Sequence, residues 1–412
     1  MIQLPNLRHL RVLCRTACGD GFSAAARDLH LSQPAITQAV RMLEQQFDAA
    51  LFERTRGVAK PTQAGRLCAA RARRALDYLA QGLTAGSVDV PGAQRRALRA
   101  VSASQLAALV AVVQEGGFGR AARTRSTSRT TLHGATRQLE RCTGVSLFEP
   151  TSHGIRPTRE ALRLAQAASL AATEMAQARA ELTALRGADR GATTIGAMPL
   201  ALSAIIPAAL MVFSATRPQH AVSILDGPYE GMLEALQHGR ADVLIGALRE
   251  SPPPDVEQEY LLEDPLSIVV RAGHPLVRAC RPVRRAPSRG ELLRYPWIAP
   301  RWGSPLRRHF DRLLGSAAAR ALPVPVECNS LAAARAVLLA SDRVMLSSRR
   351  QVQYEIAAGQ LVALAHPDHK AARAIGLTVR RGWHPTAAQR ELMSIIREVS
   401  REGDAKPPRY LD

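Results

Sequence analysis

The chain has 412 residues, of which 46% are hydrophobic and 22% charged, and carries a formal net charge of +20. Such a length calls for two or three domains, each with its own core, and such a balance excludes a disordered or fibrous protein. The longest apolar stretch, 201–212, falls short of the roughly 20 residues a bilayer span needs and is broken by Pro207. The opening residues lack the basic and apolar regions of a secretion signal, so the expectation is a cytoplasmic protein without membrane contact. Cysteines at 14, 18, 68, 142, 280 and 328 form no CxxC pair and no His/Cys cluster at zinc spacing. Reduced thiols, no metal and no cofactor are expected. Lysine occurs only at 60, 370 and 406, so arginine carries the positive excess. The excess would attract a polyanion, but it needs a site to mean something.

Shifted against itself by 96 residues without gaps, the chain matches at 18 of the 53 positions between Leu10 and Thr62. That marks a repeated module. Shared positions include Phe22 with Phe118, Ala25-Ala26-Arg27 with Ala121-Ala122-Arg123, Leu43-Glu44 with Leu139-Glu140, Leu51-Phe52-Glu53 with Leu147-Phe148-Glu149, and Pro61-Thr62 with Pro157-Thr158. In the first copy Phe22, Ala25, Ala26 and Leu29 form one apolar stripe on a short helix capped near Ser23. Ser32 caps a second helix, with Pro34 in its first turn. There Ile36, Val40, Leu43 and Phe47 make the buried stripe, and Gln33, Pro34, Thr37, Gln38 and Arg41 share the outward face. Gln pairs with adenine edges, Thr touches a thymine methyl or an edge acceptor, and Arg suits guanine or phosphate. Leu51 to Gly65 then read as a strand, a basic turn with Arg54 and Arg56 around Gly57, Lys60, and a new helix capped by Thr62.

FSAAARDLHLSQPAITQAVRMLEQQFDAALFERT resembles the winged helix-turn-helix of LysR-type transcriptional regulators over the whole module. The resemblance implies that Ser32, Gln33, Pro34, Thr37 and Gln38 meet the major groove, that Arg41 supports them, and that Arg54 and Arg56 approach the flanking minor groove from the wing.

In the second copy Arg125 and Thr127 replace Leu29 and Leu31, so it should be less stable. Its outward face would be Arg129, Thr130, His133, Gly134 and Arg137, with the wing arginine replaced by Pro150. A mid-helix glycine costs about 0.5–1 kcal/mol and removes a reading side chain. This copy is expected to be degenerate, with Arg129, His133 and Arg137 as secondary DNA contacts.

Long Ala- and Leu-rich helices should follow each copy. The expected layout is a winged helix-turn-helix at 1–63, a linker helix at 64–85 and a linker at 86–100. A second, degenerate module follows at 101–159, then a linker or dimerisation helix at 160–187, an effector-binding domain at 190–400 and a tail at 401–412. In the family such helices pair between subunits, whereas here the two copies could instead pair within one chain.

From Thr193 onward, apolar runs ATTIGAM, AVSILDG and ADVLIGA alternate with helical segments. A second series follows at 266–271, 294–300, 326–330 and 344–348, so two α/β lobes are expected. IGAMP, GRADVLIG, RAGHPL, YPWIAP and LLASDRVML resemble the family's effector domain, a two-lobed fold like periplasmic binding proteins. The finer likeness is to regulators of aromatic-acid and sugar-uptake genes.

The fold class is therefore multidomain, with two tandem winged modules, long linker helices and a two-lobed α/β effector domain. An effector between the lobes would meet Met198, Pro199 and Ser203, then Trp302, Gly303 and Ser304, with Asn329 and Ser330 nearby. Helix N-termini there suit a small carboxylate, and Arg307 would add charge; a sugar-derived metabolite is the other class considered. His366 and His369 are expected to be solvated. No P-loop, GxGxxG, GxSxG or HExxH motif stands in a suitable context, so no enzyme is expected. The expected function is ligand-responsive regulation at promoter duplex DNA by a homodimer or homotetramer, with RNA polymerase a further candidate partner. The alternative is an architectural protein that binds DNA with little regard to sequence, using its C-terminal domain only to oligomerise.

Overall fold

The computed structural model describes residues 2–18, 21–55, 58–84, 93–152, 154–280, 285–316, 326–328 and 330–402. They form two compact units: Met1–Ala192 with the short segments Gln219–Ala221 and Gln237–Arg240, and the remainder.

In the first unit, helices α1 (Leu7–Cys18), α2 (Phe22–Leu29) and α3 (Gln33–Phe47) lead into the hairpin β1 (Phe52–Thr55) and β2 (Val58–Pro61), then a long helix α4 (Gln63–Thr84). After α5 (Ala93–Ala100) the series returns as α6 (Ala103–Glu115), α7 (Phe118–Thr124), α8 (Arg129–Thr143), β3 (Phe148–Thr151), β4 (Gly154–Pro157) and α9 (Arg159–Leu185). Two details differ from expectation. Helix α2 begins at Phe22 after Gly21, whose φ of 88° and missing side chain make the turn, so Ser23 caps nothing. Residues 93–100, expected in a linker, form α5, an arginine-rich helix with Leu98 packed on the core.

Identical residues do identical work in the two series. Ser32 and Ser128 cap α3 and α8 by accepting from the backbone N–H three residues on. Glu44 Oε1 accepts from Leu51 N at 2.8 Å, and Glu140 Oε1 from Leu147 N at 2.7 Å, tying each helix to its hairpin. Thr62 Oγ1 donates to Ala50 O, and Thr158 Oγ1 to Ser146 O, where each long helix starts. His30 and Ser126 both turn the chain with left-handed φ, as do Asp48 and Gly144. Leu10, Leu13, Leu43, Leu51, Leu106, Leu109, Leu139 and Leu147 join residues of α4 and α9 in one core.

The second unit carries β5 (Ala192–Ala197), a π turn at Ala201–Ile205, α10 (Ile206–Thr216), β6 (Ala221–Asp226), α11 (Tyr229–Gln237) and β7 (Val243–Ala247). A 16-residue strand follows, β8 (Val256–Arg271). Then come α12 (Pro275–Cys280), α13 (Arg289–Leu292), β9 (Trp297–Ala299), α14 (Pro305–Leu314) and β10 (Val326–Glu327). The unit continues with α15 (Leu331–Leu339), β11 (Val344–Ser348), α16 (Gln353–Ala357), β12 (Leu361–Ala365), β13 (Ala372–Arg380) and α17 (Ala387–Glu402). Among the described residues the strand order is β10-β9-β11-β8-β13-β7-β5-β6, with β12 also on β8. The first half of β8 pairs with β13, and its second half with β11 and β12. That one strand serves two cores: one around Phe213, Ile245 and Leu392, the other around Trp297, Phe310 and Leu346. Within one connected sheet, these cores mark two lobes.

Candidate nucleic-acid interface and effector cleft

Helix α3 buries Ile36, Ala39, Val40, Leu43 and Phe47. What remains outward is Ser32, Gln33, Pro34, Gln38 and Arg41, all exposed, with Thr37 half-buried beside them. Pro34 costs nothing in the first turn because its missing N–H would have had no partner in the helix. Thr37 Oγ1 donates to Gln33 O at 3.1 Å, so its hydroxyl proton is used within the helix while its oxygen still accepts. Phe22 meets Phe52 edge-on at 5.5 Å, locking α2 against the hairpin. Arg54 lies on β1 opposite Ala59 in the pairing register, and Arg56 falls outside the described residues.

Helix α8 presents Arg129, Thr130, Thr131, Gly134, Arg137, Gln138 and Arg141. His133, expected to point outward, stacks on Phe118 with ring centres 3.6 Å apart. Burial, helped by Arg129 and Arg137, pushes its pKa below the ordinary imidazole value. Arg129 and Arg137 make no ion pair among the described residues, whereas Arg156 on the second hairpin is held by Glu149 at 2.9 Å.

In the second unit, Met198 and Pro199 follow the carboxyl end of β5. Met198 N donates to Ile245 O, and its side chain lies over Gly246, where an added Cβ would sit 2.3 Å from the sulfur. Ser203 stands in the π turn ahead of Pro207; its hydroxyl donates to Pro199 O at 3.0 Å, and its carbonyl accepts from Gln353 Nε2 at 3.2 Å. Trp302 is exposed and lies against the Arg307 guanidinium, 3.7 Å from the ring centre. Gly303 has φ 78°. Ser304 caps α14 and donates to Arg301 O, and Ser330 caps α15. Asn329 falls outside the described residues. The hydroxyls of Ser203, Ser304 and Ser330 are thus engaged by their own backbone. Arg307, expected to supply free charge, is paired with Asp311 at 2.9 Å.

Sequence reading passed over the polar group where the lobes share β8 and β13. Asp264 is fully buried and bonded to Arg373 at 2.5 Å; Arg373 also donates to Gln351 Oε1, which accepts from Ser347 Oγ. Asp264 Oδ1, Arg373 Nε and Ser348 Oγ are buried without a hydrogen-bond partner. Each such atom costs about 1–3 kcal/mol. The available signal was an Asp inside a strand-like run, EYLLEDPLSIVV. On the first lobe, the Arg249 guanidinium lies 3.9 Å from the Tyr229 ring centre. A separate hollow of about 270 Å³, lined by His309, Arg312, His366 and Asp368 among others, contains none of the residues expected to bind an effector. His366 is half-buried rather than solvated, its Nδ1 accepting from Asp368 N, and burial lowers its pKa; His369 is exposed. The described residues contain no group of His, Cys, Asp or Glu fit to hold a metal ion.

A helix-turn-helix with a hairpin wing, joined to a two-lobed α/β domain, defines a DNA-binding protein with a sensing domain. The model of the LysR substrate binding domain matches residues 186–401, and that of the bacterial regulatory helix-turn-helix protein, lysR family, matches residues 7–66 and again 103–162. The chain belongs to the LysR family of transcriptional regulators. It is 32% identical over 403 residues to the HTH-type transcriptional regulator GalR of Pseudomonas putida, covering 97% of this chain and 99% of that one. It is 29% identical over 298 residues to the HTH-type transcriptional regulator PcaQ of Agrobacterium fabrum, covering 72% of this chain and 94% of that one. The first match therefore runs through both modules, and the second leaves about a quarter of this chain outside. A full-length OxyR variant from Pseudomonas aeruginosa shares the fold, at 20% identity and TM-score 0.50 over 73% of this chain and 94% of that one. The protein is a transcriptional regulator with a DNA-binding helix-turn-helix and an effector-binding domain, and its relatives are named as regulators rather than enzymes. Among the described residues no helix is long and apolar enough to cross a membrane.

Proposed function

We propose that the first module reads an operator through Gln33, Thr37 and Gln38, with Ser32 and Pro34 at the helix start against the DNA. Arg41 and the wing residues Arg54 and Arg56 bind phosphate or the flanking minor groove. The observation that carries this reading is the polar, exposed N-terminal half of α3 standing on a fully apolar buried stripe. The second module is a duplicated, degenerate copy: Gly134 stands where Gln38 stands in the first, and His133 is stacked away on Phe118. It grips phosphates through Arg129 and Arg137 and reads few bases.

The second unit takes a small effector between its periplasmic-binding-protein-like lobes. The expected set, Met198, Pro199, Ser203, Trp302, Gly303, Ser304, Asn329 and Ser330, is joined by Asp264, Arg373 and Ser348. The unpartnered atoms of those three suit a polar guest such as a small carboxylate or a sugar-derived metabolite. Closure around it biases how the DNA-binding modules occupy a promoter in the cytoplasm, where RNA polymerase is the partner that responds.

Selection of genomic fragments by the intact protein tests the reading. Wild type should enrich one sequence, and Gln33→Ala/Thr37→Ala should lose that preference while keeping salt-dependent affinity. Unchanged enrichment would remove α3 as the reader.

A further inference from the structure

The helices that follow the two modules lie antiparallel along one another. Arg71 on α4 donates to Glu174 at 3.0 Å, to Gln177 at 2.8 Å and to Glu181 at 2.9 and 2.8 Å on α9, and Arg74 reaches Glu174 at 3.1 Å. Arg71 and Glu174 are both almost fully buried. At the far end, Gly82 is so close to α9 that an added Cβ would lie 2.5 Å from the Ala167 Cβ.

Through the 96-residue offset, Gln177 corresponds to position 81 and Ala167 to position 71. Position 71 of the first module thus meets position 81 of the second, and position 82 of the first meets position 71 of the second. Contacts that reciprocate in this way define an isologous interface about a two-fold axis. The equivalent residues Leu76 and Ala172, both buried, fall at its centre.

From this we infer that one chain, not two, is the unit that reads DNA: its two modules form an internal dimer and take an operator with two unlike halves. The inference rests on the reading of α3 given above. Charge supports it. If α4 paired with a second α4, Arg71 would face Tyr78 and Gln81, neither of which is a carboxylate. If α9 paired with a second α9, buried Glu174 and half-buried Glu181 would find Ala167 where Arg71 now stands. A buried charge without its partner is strongly destabilising, so the α4–α9 pair is selected against both like pairs. The half-site under α3 is specified by its bases, and the half-site under α8 by phosphates met by Arg129 and Arg137.

The test uses full-length chains carrying either Gln33→Ala/Thr37→Ala or Arg129→Ala/Arg137→Ala, co-expressed with different affinity tags. Tandem purification isolates any mixed assembly for titration on the selected operator. The second variant alone should bind at least tenfold more weakly, with its salt slope reduced by about two. Mixed assemblies should bind no better than the better single variant, or none should form. Recovery of near-wild-type affinity in the mixture would overturn the proposal, because complementary modules would then come from different chains. Wild-type binding by the second variant alone would overturn it too. Failure of the wild-type protein to select any sequence is a separate outcome: it removes the reading of α3, and with it the basis for unlike half-sites.

Discussion

The first and second winged modules share a scaffold and differ in what they show to a groove. Ser32 and Ser128, Glu44 and Glu140, and Thr62 and Thr158 each make an equivalent hydrogen bond in both, to which Glu44 adds one from Phe52 N and Thr158 one to Leu147 O. At the positions proposed above to read DNA, Gln33, Pro34, Thr37 and Gln38 are matched by Arg129, Thr130, His133 and Gly134. The residues that hold the shape are the same in both, while those on the outward face differ. The comparison teaches that one scaffold carries two unlike outward faces.

The strongest way to break that comparison is to separate the modules. Arg71→Ala would leave Glu174 and Glu181 without their buried guanidinium and cost about 3–5 kcal/mol. Thermal denaturation should show the first unit melting well before wild type; an unchanged melt would mean that the pair contributes nothing.

The shared latch gives a sharper test. Glu140→Ala strands one hairpin amide, at the fully buried Leu147, and Glu44→Ala strands two, at the fully buried Leu51 and at Phe52. Each stranded amide should cost about 1–3 kcal/mol, so Glu44→Ala should be the more destabilising of the two if the scaffolds are otherwise equivalent. Denaturant titration of the two variants side by side gives the comparison directly.

At about 0.5–1 kcal/mol, Gly134→Ala should stabilise α8, since an added Cβ meets nothing within 4 Å. A lower melting temperature in that variant would mean that Gly134 has a packing role. The smallest effect is one of pH. His133 has its pKa lowered from 6.5 by burial and by Arg129 and Arg137, so the fold favours its neutral form. Its contribution is present above 6.5 and is lost as pH falls through the lowered folded value. Protection of the α8 amides, corrected for their intrinsic exchange rate, should therefore fall below pH 6.5, while that of α3, with Thr37 in that place, should not respond.

Much of this was legible in sequence because it is periodic or local. The repeat, the apolar stripe of α3 and the caps at Ser32 and Thr62 depend on residues within one or two turns. The effector unit was read less completely. Strand β8 was expected only at 266–271, because its first half, VEQEYLLED, carries acids on a solvent-facing side and its lobe-bridging role depends on β13 more than 100 residues later. Strands β12 and β13 and helix α17 went unread for the same reason. Asp264 and Arg373 meet only when those strands pair. Ser304 and Ser330, expected at the effector, cap α14 and α15, and that role accounts for their hydroxyls in the structure.

Hydroxyl-radical footprinting of the full-length protein on its selected operator tests the central claim most directly. Two adjacent protected stretches of unlike sequence are expected, of which Arg129→Ala/Arg137→Ala removes one. A palindromic footprint that this variant leaves intact would contradict it.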